Sequence, residues 1–179
     1  MDSLATHGDP STVQFNFAQI KSKDEAPRFD FSFSGIKTAV LRYVQANNMA
    51  ISIDARRAKI AALPDLKPSE AASFCDRQTL NLIASFQSAV VGNLMRQTFA
   101  AAEAFGARGL LISGGVAANR ELRRRFTGEA QRRGLPVDFP TVALSTDNAA
   151  MIAAAAWPKF LAEDFAPDSL GAQPQLQLG

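Results

Sequence analysis

From Leu80 onward the apolar residues fall on most faces of a helix: Leu80, Leu82, Ile83, Phe86, Val90, Val91, Leu94, Met95 and Phe99. A helix apolar on most sides is a central, buried one. Ser69 is placed to cap its start, with Glu70 and Asp76 close behind, and Gly106 to end it. One unbroken helix from Ser69 to Phe105 would be about 55 Å long, so a break is expected near Cys75-Asp76. The pattern then changes period. Leu110-Leu111-Ile112 reads as a buried strand and Ser113-Gly114-Gly115 as a turn. Leu122, Phe126 and Ala130 recur every four residues, which predicts a helix ending at Gly134. Residues 135–140 hold a second short strand limited by Pro136 and Pro140. Ser145, Thr146 and Asp147 are all good caps for an alanine-rich helix over residues 149–157. That helix is expected to pack closely on the sheet and to stop or kink at Pro158. Strand, helix, strand, helix implies parallel pairing and a helix-rich α/β fold with few strands.

Upstream the pattern is weaker. Residues 1–28 read as an irregular leader, with a turn at Gly8-Asp9-Pro10, a solvated charge run from Lys21 to Glu25 and His7 in solvent. Phe29, Phe31 and Phe33 alternate with polar residues; Ile36, Val40, Tyr43 and Val44 then share one helical face behind a Ser34 cap. Two readings compete here: a packed corner with the three aromatics in the core, or Ser34, Gly35 and Lys37 lining a ligand pocket. A short helix is expected around residues 54–62, and a polar surface tail over 166–179. The whole of residues 1–179 reads as a single domain.

Composition changes this picture little. The 179 residues carry a net charge of +2, which neither requires nor excludes nucleic acid. The single cysteine, Cys75, rules out an internal disulfide and reads as a small buried residue at a helix start. No apolar run reaches the length of a membrane span, and no signal-peptide pattern opens the chain, so a cytoplasmic location is expected.

Candidate chemistry gathers in the second half. A strand, a Gly-Gly turn and a helix bring backbone N–H groups to a helix N-terminus, a setting for an anion or nucleotide; the same pattern also serves as a plain tight connection. Arg120, Arg123, Arg124, Arg125, Arg132 and Arg133 form the densest basic cluster. They read equally as phosphate contacts or as a solvated outer face.

Four blocks in order and spacing carry a resemblance: residues 31–39 (FSFSGIKTA), residues 84–87 (ASFQ), residues 113–119 (SGGVAAN) with Leu122-Arg123, and residues 145–152 (STDNAAMI). Together they resemble the tRNA threonylcarbamoyladenosine transferases, once called glycoproteases or O-sialoglycoprotein endopeptidases. The match covers nearly the whole chain but only the C-terminal half of the family's pattern. The resemblance implies the second lobe of an actin, sugar-kinase and Hsp70-like (ribonuclease H-like) ATPase fold. It also implies a missing N-terminal lobe, and a role in moving a threonylcarbamoyl group from its adenylate to an adenosine beside the tRNA anticodon.

The family's metal ligands are a His-x-x-x-His pair on the first lobe and an aspartate on the second. With one histidine in this chain the pair is absent, and the aspartate matches Asp147. The resemblance therefore implies metal binding by Asp147, with iron or zinc held only once the first lobe is present. It assigns Gly114, Gly115 and Asn119 to the adenylate-type nucleotide intermediate. Ser145 stands where the family often has cysteine, a small departure. Three readings follow: a transferase lobe inactive alone, a degenerate scaffold subunit of the same complex, or a metallopeptidase. The last lacks the three ligands a zinc peptidase needs. A lobe without its partner is also expected to expose an apolar patch and to self-associate.

Overall fold

The computed structural model describes residues 1–15, 29–31, 34–63, 65, 67 and 70–172, and of Ser34 the backbone only. In chain order these form α1 (Asp2–Ala5), α2 (Ser34–Ala46), α3 (Ala50–Ala61), a 3-10 turn (Ala71–Phe74), α4 (Arg77–Ala104) and β1 (Leu110–Leu111). A 3-10 turn (Gly115–Ala118), α5 (Arg120–Arg132), β2 (Val137–Asp138), a 3-10 turn (Val142–Leu144) and α6 (Ala149–Leu161) follow.

The break expected near Cys75-Asp76 is where α4 begins. Asp76 has extended backbone and its Oδ1 accepts from the Thr79 N–H at 2.6 Å, satisfying one of the first-turn donors. Arg56 on α3 reinforces this start by donating to the Phe74 carbonyl at 3.0 Å, to Asp76 at 3.2 Å and to Thr79 Oγ1 at 2.9 Å. Ser69, the cap expected for the upstream turn, lies outside the described residues. Cys75 is half-buried rather than buried, its thiol turned to the Ala71 carbonyl.

The core is the meeting of α4 and α5. Val91, Phe99, Leu122, Phe126 and Ala130 are buried together, and Leu110, Ile112, Leu135, Val137 and Phe139 pack against them from the strands. Phe99 stacks on Phe126 with ring centroids 5.6 Å apart. The helix-rich fold with a small parallel sheet is as the pattern predicted: β1 pairs with β2 in parallel, Leu110 opposite Val137 and Leu111 opposite Asp138. Ladder bonds from Leu110 N to Pro136 O (2.8 Å) and from Ile112 N to Asp138 O (3.0 Å) extend the pairing by a residue at each end.

Four further expectations are corrected. The leader is not irregular at its start. Residues 2–5 form α1, Ala5 is buried, and the following turn is tied to α4 by Asp9 N–H to Asn81 and Val13 N–H to Ser85. Gly8 permits this approach, because a Cβ there would lie 2.1 Å from the Leu80 carbonyl oxygen. The strand expected to be buried is half-buried on one side and open on the other, with Leu111 75% exposed; α4 and α5 cover the face that carries Leu110 and Val137. The aromatic corner is not a core cluster. Phe29 meets Phe105 edge-on, Phe31 is exposed, and Phe33 lies outside the described residues.

The largest correction concerns α6. Its cap is Asn148, whose Oδ1 accepts from Met151 N, rather than Ser145, Thr146 or Asp147. Every residue of the helix is exposed, so it packs on no sheet; two short strands offer no second face for it. Pro158 neither stops nor ends it, and the helix runs on to Leu161. Residues 166–172 continue as exposed chain. Among the described residues no helix is long and apolar enough to cross a membrane.

Candidate functional site

Both glycine- and aspartate-bearing segments leave the same edge of the sheet. The Gly114-Gly115 turn follows the carboxyl end of β1, and the loop to Asp147 follows the carboxyl end of β2. In parallel sheets this edge is where ligands bind, because the chain turns away there and leaves a crevice. The two segments meet: a Cβ placed on Gly115 would lie 3.9 Å from the Thr146 methyl, one residue before Asp147. Gly114 has φ +88° and ψ 170°, a backbone that only glycine adopts readily, and the space where its Cβ would stand is open.

The anion setting expected at the start of α5 is not built as the pattern suggested. The Gly115–Ala118 turn stands between Gly114 and the helix, and two of the first three donors of α5 are already taken. Asn119 Oδ1 accepts from Leu122 N at 2.9 Å, and Asp2 accepts from Arg120 N at 3.1 Å. Asn119 also donates from Nδ2 to Gln87 Oε1 at 3.0 Å, so both ends of its amide are engaged within the chain.

Asp147 is different. It is exposed, and among the described residues its carboxylate makes no hydrogen bond or ion pair. Thr146 O accepts from Asn148 Nδ2 at 3.0 Å, and the same Asn148 side chain caps α6. The neighbour therefore does the capping, and the Asp147 oxygens stay open. One carboxylate does not make a metal site, and among the described residues no three His, Cys, Asp or Glu side chains gather to hold an ion.

The arginine cluster divides in two. Arg124 pairs with Glu121 through both its Nε and Nη2, and this guanidinium holds the Glu121 carboxyl below the usual carboxylate range. Arg132 and Arg133 both pair with Glu129, Arg133 also lying over the Phe99 ring at 4.9 Å. Arg125 donates to the Ser88 carbonyl at 3.0 Å. Arg123 points inward to the two loops of the sheet edge. So three of the six arginines, Arg124, Arg132 and Arg133, meet carboxylates within the chain, while Arg123 and Arg125 donate to uncharged oxygens. A helical wheel at about 100° per residue carries the signal for this: it sets Arg123 and Arg133 beside the buried Leu122, Phe126 and Ala130 stripe, and Arg124 opposite. A cleft of about 660 Å³ lined by Asp2, Thr6, Gln87, Arg120, Glu121 and Arg124 contains none of Gly114, Gly115, Asn119 or Asp147.

Fold and site together define a helix-rich α/β chain whose candidate ligand edge is the carboxyl end of a parallel strand pair. The family model described as tRNA N6-adenosine threonylcarbamoyltransferase matches residues 1–154. The tRNA N6-adenosine threonylcarbamoyltransferase of Koribacter versatilis is 51% identical over 187 residues, covering 99% of this chain and 49% of the relative. Those of Moorella thermoacetica and Symbiobacterium thermophilum are each 38% identical, covering 99% and 100% of this chain and 44% of each relative. The chain belongs to the tRNA N6-adenosine threonylcarbamoyltransferase family. It spans about half the length of the curated relatives it matches.

Proposed function

We propose that this chain is the second lobe of an actin-like, two-lobed tRNA N6-adenosine threonylcarbamoyltransferase, and that it supplies one wall of the site and works only when joined to a first lobe. In the reaction so proposed, the exocyclic amine of an adenosine beside the anticodon forms a bond to the carbonyl carbon of threonylcarbamoyl-adenylate. The bond from that carbon to the phosphate oxygen breaks, AMP leaves, and the amine gives up one proton to solvent. The Gly114-Gly115 turn offers backbone that a nucleotide can approach closely. Asn119 fixes the turn relative to α4 through Gln87 and holds the start of α5. Asp147 offers an open carboxylate to a metal whose other ligands lie outside this chain; alone it does not hold one.

The observation that carries this reading is the meeting of the Gly-Gly turn with the Asp147 loop at one sheet edge, Gly115 against Thr146. The test is to combine the chain with the N-terminal half of the Koribacter relative, then measure modified tRNA and bound metal. Neither half alone should transfer, and the pair should. Asp147→Asn keeps the shape and removes the charge, so it should abolish transfer and lower bound metal in the pair. Transfer by this chain alone, or full activity of the Asp147→Asn pair, would overturn the assignment. An adenine nucleotide should bind the isolated chain no more tightly than roughly millimolar, about −4 kcal/mol, since only one wall is present.

A further inference from the structure

We propose that Arg123 is a positioning residue whose guanidinium clamps the loop carrying Asp147 to the turn carrying Gly114 and Gly115, and so sets the spacing across the site. Nε donates to the Ala117 carbonyl at 2.6 Å, inside the 3-10 turn that the two glycines open. Nη2 donates to the Pro140 carbonyl at 2.7 Å and to Ser145 Oγ at 3.1 Å, both on the segment leading to Asp147. Ser145 is buried, and its hydroxyl donates a hydrogen bond to the Thr141 carbonyl at 3.0 Å, so the chain of bonds closes back on that loop. The Phe139 ring lies under the guanidinium, 5.0 Å from its carbon to the ring centroid.

Strand pairing cannot do this work. The ladder ends at Ile112 N to Asp138 O, before either loop begins. Among the described residues, no hydrogen bond other than those of Arg123 joins residues 113–119 to residues 139–148. The geometry also explains why the group is an arginine. Three acceptors in different directions suit a rigid planar fork, and a lysine ammonium on a flexible stem cannot hold all three at once. The functional meaning of the clamp rests on reading Gly114, Gly115 and Asp147 as one site; the clamp itself does not.

Disulfide trapping measures the spacing directly. Gly115 has ordinary backbone and its Cβ position is near Thr146, so Gly115→Cys with Thr146→Cys, in a Cys75→Ser background, is placed to cross-link. Cross-linking in glutathione buffer is followed by mass spectrometry of the linked peptides. It is run on the full 179-residue chain and on that chain joined to the Koribacter first half, below the unfolding transition. Arg123→Met removes all three bonds and should slow cross-linking by at least about tenfold, the worth of the single charge-assisted bond to Ala117 that ties the turn to the loop. Arg123→Lys should fall between. Should Arg123→Met fail to fold by circular dichroism, Ser145→Ala decides, with about a threefold slowing for the loss of one of the guanidinium's three bonds. Unchanged cross-linking in the folded variants overturns the clamp. In the joined protein without the added cysteines, Arg123→Met should lower kcat while KM for the adenylate stays within about twofold. If cross-linking slows as expected but the unsubstituted joined protein shows no transfer, the clamp stands and the site reading fails.

Discussion

Two helices meet opposite fates in this molecule, and the more apolar of them is the one left uncovered. α4 runs through the centre, with Leu80, Leu82, Ala84, Val91 and Phe99 buried along it. α6, built from alanines, Met151, Ile152, Trp157 and Phe160, buries nothing. Its Trp157 stacks on Phe160 at 5.6 Å, and Phe165 meets Phe160 edge-on, so its aromatics find only one another. The difference lies in partners. α4 has α1, α5 and the strands to bury against, whereas α6 follows the last described strand and meets no element that covers it. Apolar periodicity states that a helix needs a partner; it does not say that the partner lies in the same chain.

The widest gap between the two regions should appear in stability. Phe126 is only 2% exposed and stacks on Phe99, so Phe126→Ala should cost about 3–5 kcal/mol. For a domain of this size that is much of the total stability. Phe160→Ala on α6 should cost less than about 0.5 kcal/mol, because nothing packs on it beyond its aromatic neighbours. Urea unfolding of both variants decides the matter; a Phe160 cost approaching that of Phe126 would mean α6 is packed in solution. The exposed set Leu111, Val116, Val142, Leu144, Ile152 and Trp157 also leads us to expect self-association of the isolated chain. Sedimentation as a monodisperse monomer with no binding of a hydrophobic dye would contradict that.

Legibility in the sequence follows the same division. The break before α4, the helix through Leu122, Phe126 and Ala130, and the parallel pair were readable because their signals are local and their partners lie within the chain. α1 was not readable. Four residues carry no period, and what holds them is distant: Gly8 against the Leu80 carbonyl, and Asp9 and Val13 bonded to α4. At the site, the glycines and the aspartate stood out by type. Which residue caps α6 did not, since four capping residues stand in a row and only geometry chose Asn148. The inward turn of Arg123 did not stand out by type in a run of arginines; only its place on the helical wheel carried it.

A middle-sized effect belongs to Asn119, where the core and the site touch. Asn119→Ala removes the cap of α5, about 1–2 kcal/mol, and leaves the half-buried pair with Gln87 broken. The variant should therefore lose stability in urea as well as weaken nucleotide binding in the joined protein. Binding loss with unchanged stability would show that the cap is not formed in solution.

The smallest effects compare two aspartates at the heads of the two helices. Burial pushes the Asp76 carboxyl up, but the Thr79 N–H and hydroxyl and the Arg56 guanidinium outweigh it, leaving the group below the ordinary carboxylate range. The folded state thus holds the carboxylate more strongly than the unfolded chain does. This contribution is fully present above the unfolded value near 3.9 and is lost as pH falls through the lower folded value. Asp76 is about half exposed, so the effect is modest. Asp76→Asn should lower stability slightly at neutral pH and flatten the acid limb of a stability-against-pH curve. Asp147 has no such partners, and α6 takes its cap from Asn148. Asp147→Asn should leave the unfolding free energy of this chain in urea unchanged within about 0.5 kcal/mol. A group that stabilises nothing in its own chain yet abolishes transfer in the joined protein would be held for the reaction alone. A measurable loss of stability in Asp147→Asn would instead make it a second Asp76, a residue that serves its own helix.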